Sequence, residues 1–209
     1  MGINDLTTHY RYLLQQHGDS PEAVQHSSQE SQEARFRILS EIADLNGKRV
    51  LDFGCGTAHF ASYLKELDID CTYVGVDIVP EFLDIAKAKH PAHSFGDWSD
   101  FMDEEFDFAF ASGVFNNKMI DNKSFYESTL TALFERVRGG VAFNMMSTYV
   151  DFQVDELFYA SPEEIFAFAK SLTPYVTLRH DYLVKAKSVP FEFAIYAYRQ
   201  ATSTPNSPA

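Results

Sequence analysis

Apolar positions recur at two different periods along this chain. Over the first forty-five residues Leu6, Tyr10, Leu13 and Leu14 fall at helical spacing, and Gly18 interrupts them. A second helical start is expected at Ser20-Pro21-Glu22, where Ser20 can cap and Pro21 fits the first helical position, its missing N–H costing nothing. Phe36, Leu39, Ile42, Ala43 and Leu45 extend that apolar face to a stop at Asn46-Gly47. From Lys48 the period changes. Short runs rich in Val, Ile, Phe and Tyr at 49–53, 72–77, 106–111, 140–146, 176–179 and 191–198 alternate with helical patterns at 58–67, 80–89, 124–138 and 162–172. The last of these opens with the capping box Ser161-x-x-Glu164. Strand and helix in succession predict an α/β sandwich around a mostly parallel sheet. The runs 176–179 and 191–198 have no helix between them and predict an antiparallel hairpin at one edge.

The stretch Val50-Leu51-Asp52-Phe53-Gly54-Cys55-Gly56-Thr57-Ala58 is a buried strand running through a glycine-containing turn into a helix. In an open α/β sheet that strand end is where a nucleotide-like ligand binds. Glycine lets a ligand reach the main chain, and free N–H groups at a helix start favour an anionic group. The same residues would also serve as a plain strand-to-helix turn. Context favours the ligand: Tyr73-Val74-Gly75-Val76-Asp77 is a second strand ending in a carboxylate, 77 − 56 = 21 residues after the second glycine. That is near the ~20-residue offset at which an acid meets ribose hydroxyls. The competing role for Asp77 is a helix N-terminal acid ahead of Pro80.

Composition narrows the partners. With 209 residues and 45% hydrophobic and 22% charged positions, the chain has the make-up of one folded domain with a short appended arm. Seventeen Lys and Arg against thirty Asp and Glu leave a net charge of −13, the wrong sign for neutralising phosphates, so no nucleic-acid partner is expected. No apolar stretch approaches the ~18 residues of a membrane span, and the N-terminus lacks a basic region followed by an apolar run. A cytoplasmic location without membrane association is expected. Cys55 and Cys71 read as reduced core residues, with no partners at metal-ligand spacing. Asp103-Glu104-Glu105 reads as a solvated turn.

The chain resembles class I S-adenosylmethionine-dependent methyltransferases over 48–199. The resemblance is carried by 50–58, 73–77, Gly96-Asp97-Trp98, 106–117 and 136–144. Asp52, Gly54 and Gly56 match the family's acid-x-Gly-x-Gly-x-Gly run, with Ala58 in place of the third glycine. Dinucleotide enzymes use Gly-x-Gly-x-x-Gly, which would require glycine at His59. The resemblance implies a cofactor site in which Asp52 lies near the ammonium group and Gly54, Cys55 and Gly56 contact the methionine and ribose portions. It places Asp77 on the ribose diol and Ile78 against the adenine. Asp97 would meet the adenine amino group, Trp98 would sit close to the ring, and Ser112 would face the cofactor. Ala111-Ser112-Gly113-Val114-Phe115-Asn116-Asn117 lacks the Asn/Asp-Pro-Pro-aromatic tetrad of nucleobase and glutamine N-methyltransferases, which disfavours those acceptors. No acidic metal cluster of the catechol type is present, and no metal is expected.

Methyl transfer needs proximity, alignment and removal of the acceptor's proton. His180, in Arg179-His180-Asp181-Tyr182 at a strand end, is the candidate catalytic residue, either as base or in positioning the acceptor. Its alternative is a satisfied edge histidine, and His59 is expected to face the helix surface. Tyr10, Tyr12, Gln32 and Arg35 from the arm are candidate acceptor contacts, as are Met145, Ser147, Tyr149 and Phe152 after a strand. The implied fold is a Rossmann-like seven-stranded sheet, order 3-2-1-4-5-7-6 with the last strand antiparallel. It carries an N-terminal helical lid (1–46), a cofactor-binding methyltransferase domain (47–200) and a disordered tail (201–209). The expected activity is methylation of a hydroxyl or amine on a small molecule: a sugar, peptide or natural-product intermediate. A non-catalytic module that binds S-adenosylmethionine or S-adenosylhomocysteine as a sensor or partner subunit is the alternative. A monomer or homodimer is expected.

Overall fold

A computed structural model describes residues 1–202; the expected disordered tail falls almost wholly on 203–209, outside the described residues. Seven strands form one sheet: β1 (Arg49–Phe53), β2 (Thr72–Val76), β3 (Ser94–Gly96), β4 (Phe106–Ala111), β5 (Val137–Met146), β6 (Tyr175–Arg179) and β7 (Glu192–Tyr198). Their order is β3-β2-β1-β4-β5-β7-β6. β7 runs antiparallel between β5 and β6, and the other pairings are parallel. This is the expected sheet and strand order.

Alternation along each strand divides the core into two layers. Val50, Phe108, Phe110, Ala142, Ala194 and Tyr196 face one side, with the 36–45 segment, α3 (His59–Glu66) and α4 (Pro80–Lys89). Leu51, Ala109, Val141, Phe143, Phe193 and Ile195 face the other, beneath α6 (Asn122–Glu135) and α7 (Pro162–Leu172). A single short turn of helix, α5 (Trp98–Phe101), follows β3. Local chemistry sets the helix starts. Asp121 caps α6 by accepting from the Ser124 amide at 2.9 Å, and Ser161 caps α7 with Pro162 in the first helical position.

Several element ends shift by one to three residues, the arm's second helix stops at Ser40 short of the expected Asn46-Gly47, and two further boundaries differ in kind. The arm's second helix does not run unbroken from Pro21. Pro21–Val24 forms a 3-10 turn that ends at Gln25 in the left-handed region, and α2 (Gln29–Ser40) then starts afresh at Ser28, whose hydroxyl accepts from the Ser31 amide. The polar run from Gln25 to Gln29 offers no apolar position to hold a helix there. Val137 and Arg138 belong to β5 rather than to α6, because pairing with β4 begins at Val137 and outweighs the helical pattern. Ahead of all this, α1 (Ile3–His17) ends at Gly18 as expected. Among the described residues no helix is long and apolar enough to cross a membrane.

Candidate functional site

The sheet order reverses at β1, which lies between β2 and β4. Loops leaving the carboxyl ends of these strands diverge there and open a crevice. The loop after β1 is tied to the end of β2: the Gly54 and Cys55 amides both donate to the Val76 carbonyl, at 2.8 and 3.0 Å. Gly54 and Gly56 have φ of +76° and +54°, a region L side chains avoid. A Cβ on Gly54 would stand 2.7 Å from a Val114 methyl, so both conformation and space require glycine. Ala58 takes the third alternate position at φ +61° and is fully buried.

Asp77 joins the loop to the second strand. One carboxylate oxygen accepts from the Gly56 amide and the other from the Val79 amide, each at 2.9 Å. Its enclosure pushes the carboxyl up to about 6, against the lowering effect of the Val79, Gly56 and Ile78 amides. Asp52 is buried on β1 and accepts from the Tyr73 hydroxyl of β2. Burial raises it to about 7; the Tyr73 bond lowers it and the Asp77 charge raises it further.

These groups form the floor of a cleft with about 1060 Å³ of empty space, its open mouth included, enough room for a cofactor. Ile78, Asp97 and Trp98 border it on the β2–β3 side; Ser112, Gly113 and Val114 do so beyond β4. The arm closes it with Ile3, Leu6, Tyr10, Val24, His26 and Gln32. Among the described residues no lysine or arginine lines it. Two carboxyls whose ionisation burial opposes, with no protein cation beside them, favour a ligand that brings positive charge and hydroxyl donors. The Ser112 hydroxyl oxygen is buried without a partner, a further polar position left for a ligand. S-Adenosylmethionine, with its sulfonium, ammonium and ribose diol, fits this set of residues.

A methyltransferase-domain family model matches residues 44–170, from just before β1 through most of α7. The chain belongs to the class I S-adenosylmethionine-dependent methyltransferases. A curated relative from Mycobacterium tuberculosis, named "Putative methyltransferase Rv1506c", is 31% identical over 140 residues, covering 63% of this chain and 84% of that protein. Among solved structures, the magnesium protoporphyrin IX methyltransferase of Synechocystis PCC 6803 with bound S-adenosylhomocysteine superimposes with a TM-score of 0.64 at 13% identity. It covers 92% of this chain and 94% of its own. The 1,6-didemethyltoxoflavin-N1-methyltransferase of Burkholderia thailandensis gives 0.65 at 17% identity, covering 94% and 88%. At such identities these structures are similar in fold.

Within the methyltransferase, all nine residues expected at the cofactor line the one cleft: Asp52, Gly54, Cys55, Gly56, Asp77, Ile78, Asp97, Trp98 and Ser112. Asp97 also caps α5, its carboxylate accepting from the Ser99 amide at 2.9 Å and the Ser99 hydroxyl at 2.8 Å. Trp98 meets Phe53 edge-on at 6.1 Å between ring centroids.

The expected acceptor contacts divide. Tyr10 and Gln32 line the cleft. Tyr12 is 58% exposed on the outer side of α1. Arg35 is buried but turns to Glu192 of β7, pairing with both carboxylate oxygens. Met145 is sealed in the core under α6 and α7. Tyr149 is exposed and donates to Glu163, Ser147 is buried and Phe152 is exposed. None of these six lines the cleft. Nor does His180, whose Nε2 bonds to the Pro190 carbonyl at 3.0 Å beside the rings of Tyr149 and Phe193. His180 directly follows β6, the sheet's far edge and four strands from β1, which removes it from the crevice.

His59 differs from its expected place. It turns into the cleft wall, with Nδ1 2.9 Å from the Gln32 amide oxygen and Nε2 3.0 Å from Asp19 and 3.2 Å from the Thr57 hydroxyl. Burial lowers it below the usual histidine range. His26 is a cleft residue the sequence reading passed over. It follows the left-handed Gln25 in an irregular stretch, where no period signals which way a side chain points.

Proposed function

We propose that this methyltransferase transfers the methyl group of S-adenosylmethionine to a hydroxyl or amine of a small-molecule acceptor such as a sugar, peptide or natural-product intermediate. The observation that carries the reading is the cleft at β1, with Asp52 and Asp77 on its floor and the N-terminal arm over it. The cofactor supplies a methyl group already activated by its sulfonium. The protein's own task is then to hold two small molecules in line and keep water out.

Asp52 is assigned to the cofactor's ammonium group, and the Gly54–Gly56 backbone to its methionine and ribose portions. Asp77 is assigned to the ribose diol, since each of its oxygens keeps a second lone pair after accepting one amide. Ile78 and Trp98 are assigned to the two sides of the adenine, with Asp97 at its rim. A cleft with no lysine or arginine among its described residues and a net charge of −13 suit neither nucleic acid nor phosphorylated acceptors.

Calorimetric titration of the chain with S-adenosylhomocysteine tests this, with a nicotinamide dinucleotide as comparison ligand. Saturable binding of S-adenosylhomocysteine alone is expected. Asp77→Ala removes both the diol partner and the staple on the Gly56 amide, and should weaken it at least tenfold. Unchanged affinity in that variant would remove the ribose assignment, and preference for the dinucleotide would remove the function.

A further inference from the structure

Resting on that reading, the part of the cleft beyond the cofactor's residues has a chemistry of its own. It lies where β4 ends and the arm crosses over, and its walls are Ile3, Leu6, Tyr10, Val114 and Phe125. All of these are aliphatic or aromatic. Elsewhere on the cleft wall Gln32, Thr57 and His59 bond one another; two further polar groups have no side-chain partner among the described residues. One is the partnerless hydroxyl of Ser112, at the border with the cofactor's residues. The other is the imidazole of His26, which is 9% exposed, and whose Cε1 lies 3.6 Å from where a Cβ on Gly113 would stand.

The placement of His26 is built. Its amide donates to the Pro21 carbonyl at 2.9 Å, closing the 3-10 turn. Gln25 beside it adopts φ +61°, a left-handed conformation that a non-glycine residue adopts only when its surroundings hold it there. The Gln25 side chain is held by the Asn117 amide at 3.0 Å, and the same amide group donates to the Tyr10 hydroxyl at 2.9 Å. One asparagine of the β4–α6 loop thus fixes both the α1 residue and the turn that aims the imidazole inward. Burial, with the charges of Arg35 and His59, pushes His26 down to about 3. It therefore stays neutral at physiological pH and keeps one ring nitrogen free to accept.

We propose that His26 is the acceptor-binding residue, that it takes the hydrogen bond of the group to be methylated, and that the acceptor is a flat apolar or aromatic molecule carrying a single O–H or ring N–H. A sugar needs partners for many hydroxyls, whereas these walls are mainly apolar and Gln32, Thr57 and His59 are already bonded to one another. A carboxylated or phosphorylated acceptor needs a cation, and the cleft has none among its described residues. A site built to accept from one O–H or N–H rejects the analogue that lacks it more strongly than an apolar wall rejects a change of shape.

The test is calorimetry on the chain saturated with S-adenosylhomocysteine, with 2-naphthol, 2-methoxynaphthalene and glucose as probes. The naphthol is expected to bind saturably, at least tenfold tighter than its methoxy counterpart, and glucose not at all. His26→Ala should lose at least tenfold in naphthol affinity while its S-adenosylhomocysteine affinity, the check on folding, stays within twofold. His26→Asn, which keeps an acceptor, should recover part of the loss. Equal naphthol affinity in wild type and His26→Ala overturns the proposal, as does binding of glucose in place of naphthol. Failure of the naphthol in a protein that binds S-adenosylhomocysteine overturns this inference and leaves the methyltransferase site standing. Failure of S-adenosylhomocysteine itself overturns both.

Discussion

At the residue scale, the cleft floor sets binding against stability. Asp52 is buried, and its carboxyl stands near 7 because no protein cation compensates its charge. The Tyr73 hydroxyl needs one acceptor there, which an amide oxygen also supplies. Asp52→Asn should therefore leave the free protein as stable or more stable at pH 8, while weakening S-adenosylmethionine at least tenfold through loss of the ammonium partner. Paired thermal melts and calorimetry check this; a variant that loses stability but keeps affinity would make Asp52 a structural residue. Positions of this kind were legible in the sequence because backbone chemistry dictates them. Gly54 and Gly56 are demanded by positive φ, Asp77 by the amides it staples, and Ala58 fills the third left-handed position at a strain glycine would not carry. His26 was not legible in the same way: its direction depends on Gln25 and on Asn117, which bonds Gln25 across 92 residues.

At the scale of elements, the arm is tied to the sheet through buried polar groups. Arg35 of α2 pairs with Glu192 at the start of β7, and both are buried. Asn144 of β5 donates to the same carboxylate at 2.8 Å, and its own amide oxygen accepts from the Gly113 amide at 2.9 Å. The chain of contacts Arg35, Glu192, Asn144, Gly113 runs from the lid to the cleft wall. Removing one member strands the others, and a broken buried pair costs about 3–5 kcal/mol. Glu192→Ala should therefore lower the urea-denaturation stability by about that amount and also weaken S-adenosylhomocysteine binding, because the Gly113 loop loses its anchor. A loss under about 1 kcal/mol, the scale of exposed pairs, would mean the network is solvated. The sequence held a signal for it: Asn144, inside one apolar strand run, and Glu192, near the start of another, are lone polar residues there, and such residues require partners. Arg35 was instead expected in the acceptor pocket, since nothing local says which long-range acid a helix arginine will meet. β1, α4, β4 and α7 matched their sequence periods to the residue. β3 and α5, at three and four residues, are shorter than any period can mark.

At the scale of the whole molecule, the acidic balance and the cleft carboxyls make ligand binding a pH-dependent event. Asp52 near 7 and Asp77 near 6 both lie above their ordinary value of 3.8, so the free folded state holds more protons than the unfolded chain between those limits. Their contribution to stability is fully present below about pH 3.8 and is lost as pH rises through 6 and 7. A ligand bringing an ammonium group and a ribose diol favours both ionised forms, so its binding releases protons below pH 7 and its affinity climbs across the same window. At a hundredfold excess over Kd a ligand adds about 2.7 kcal/mol, or about 5–11 °C in a chain of this size. At a fixed S-adenosylhomocysteine concentration that gives this gain at pH 8, the gain at pH 5.5 should be clearly smaller, although the free protein draws more stability from these two groups there. Replacing Asp52 with asparagine should flatten the difference. A gain that is the same at both pH values in the wild-type chain would show that the ligand does not meet these carboxylates, and would leave their raised values a cost of the fold alone.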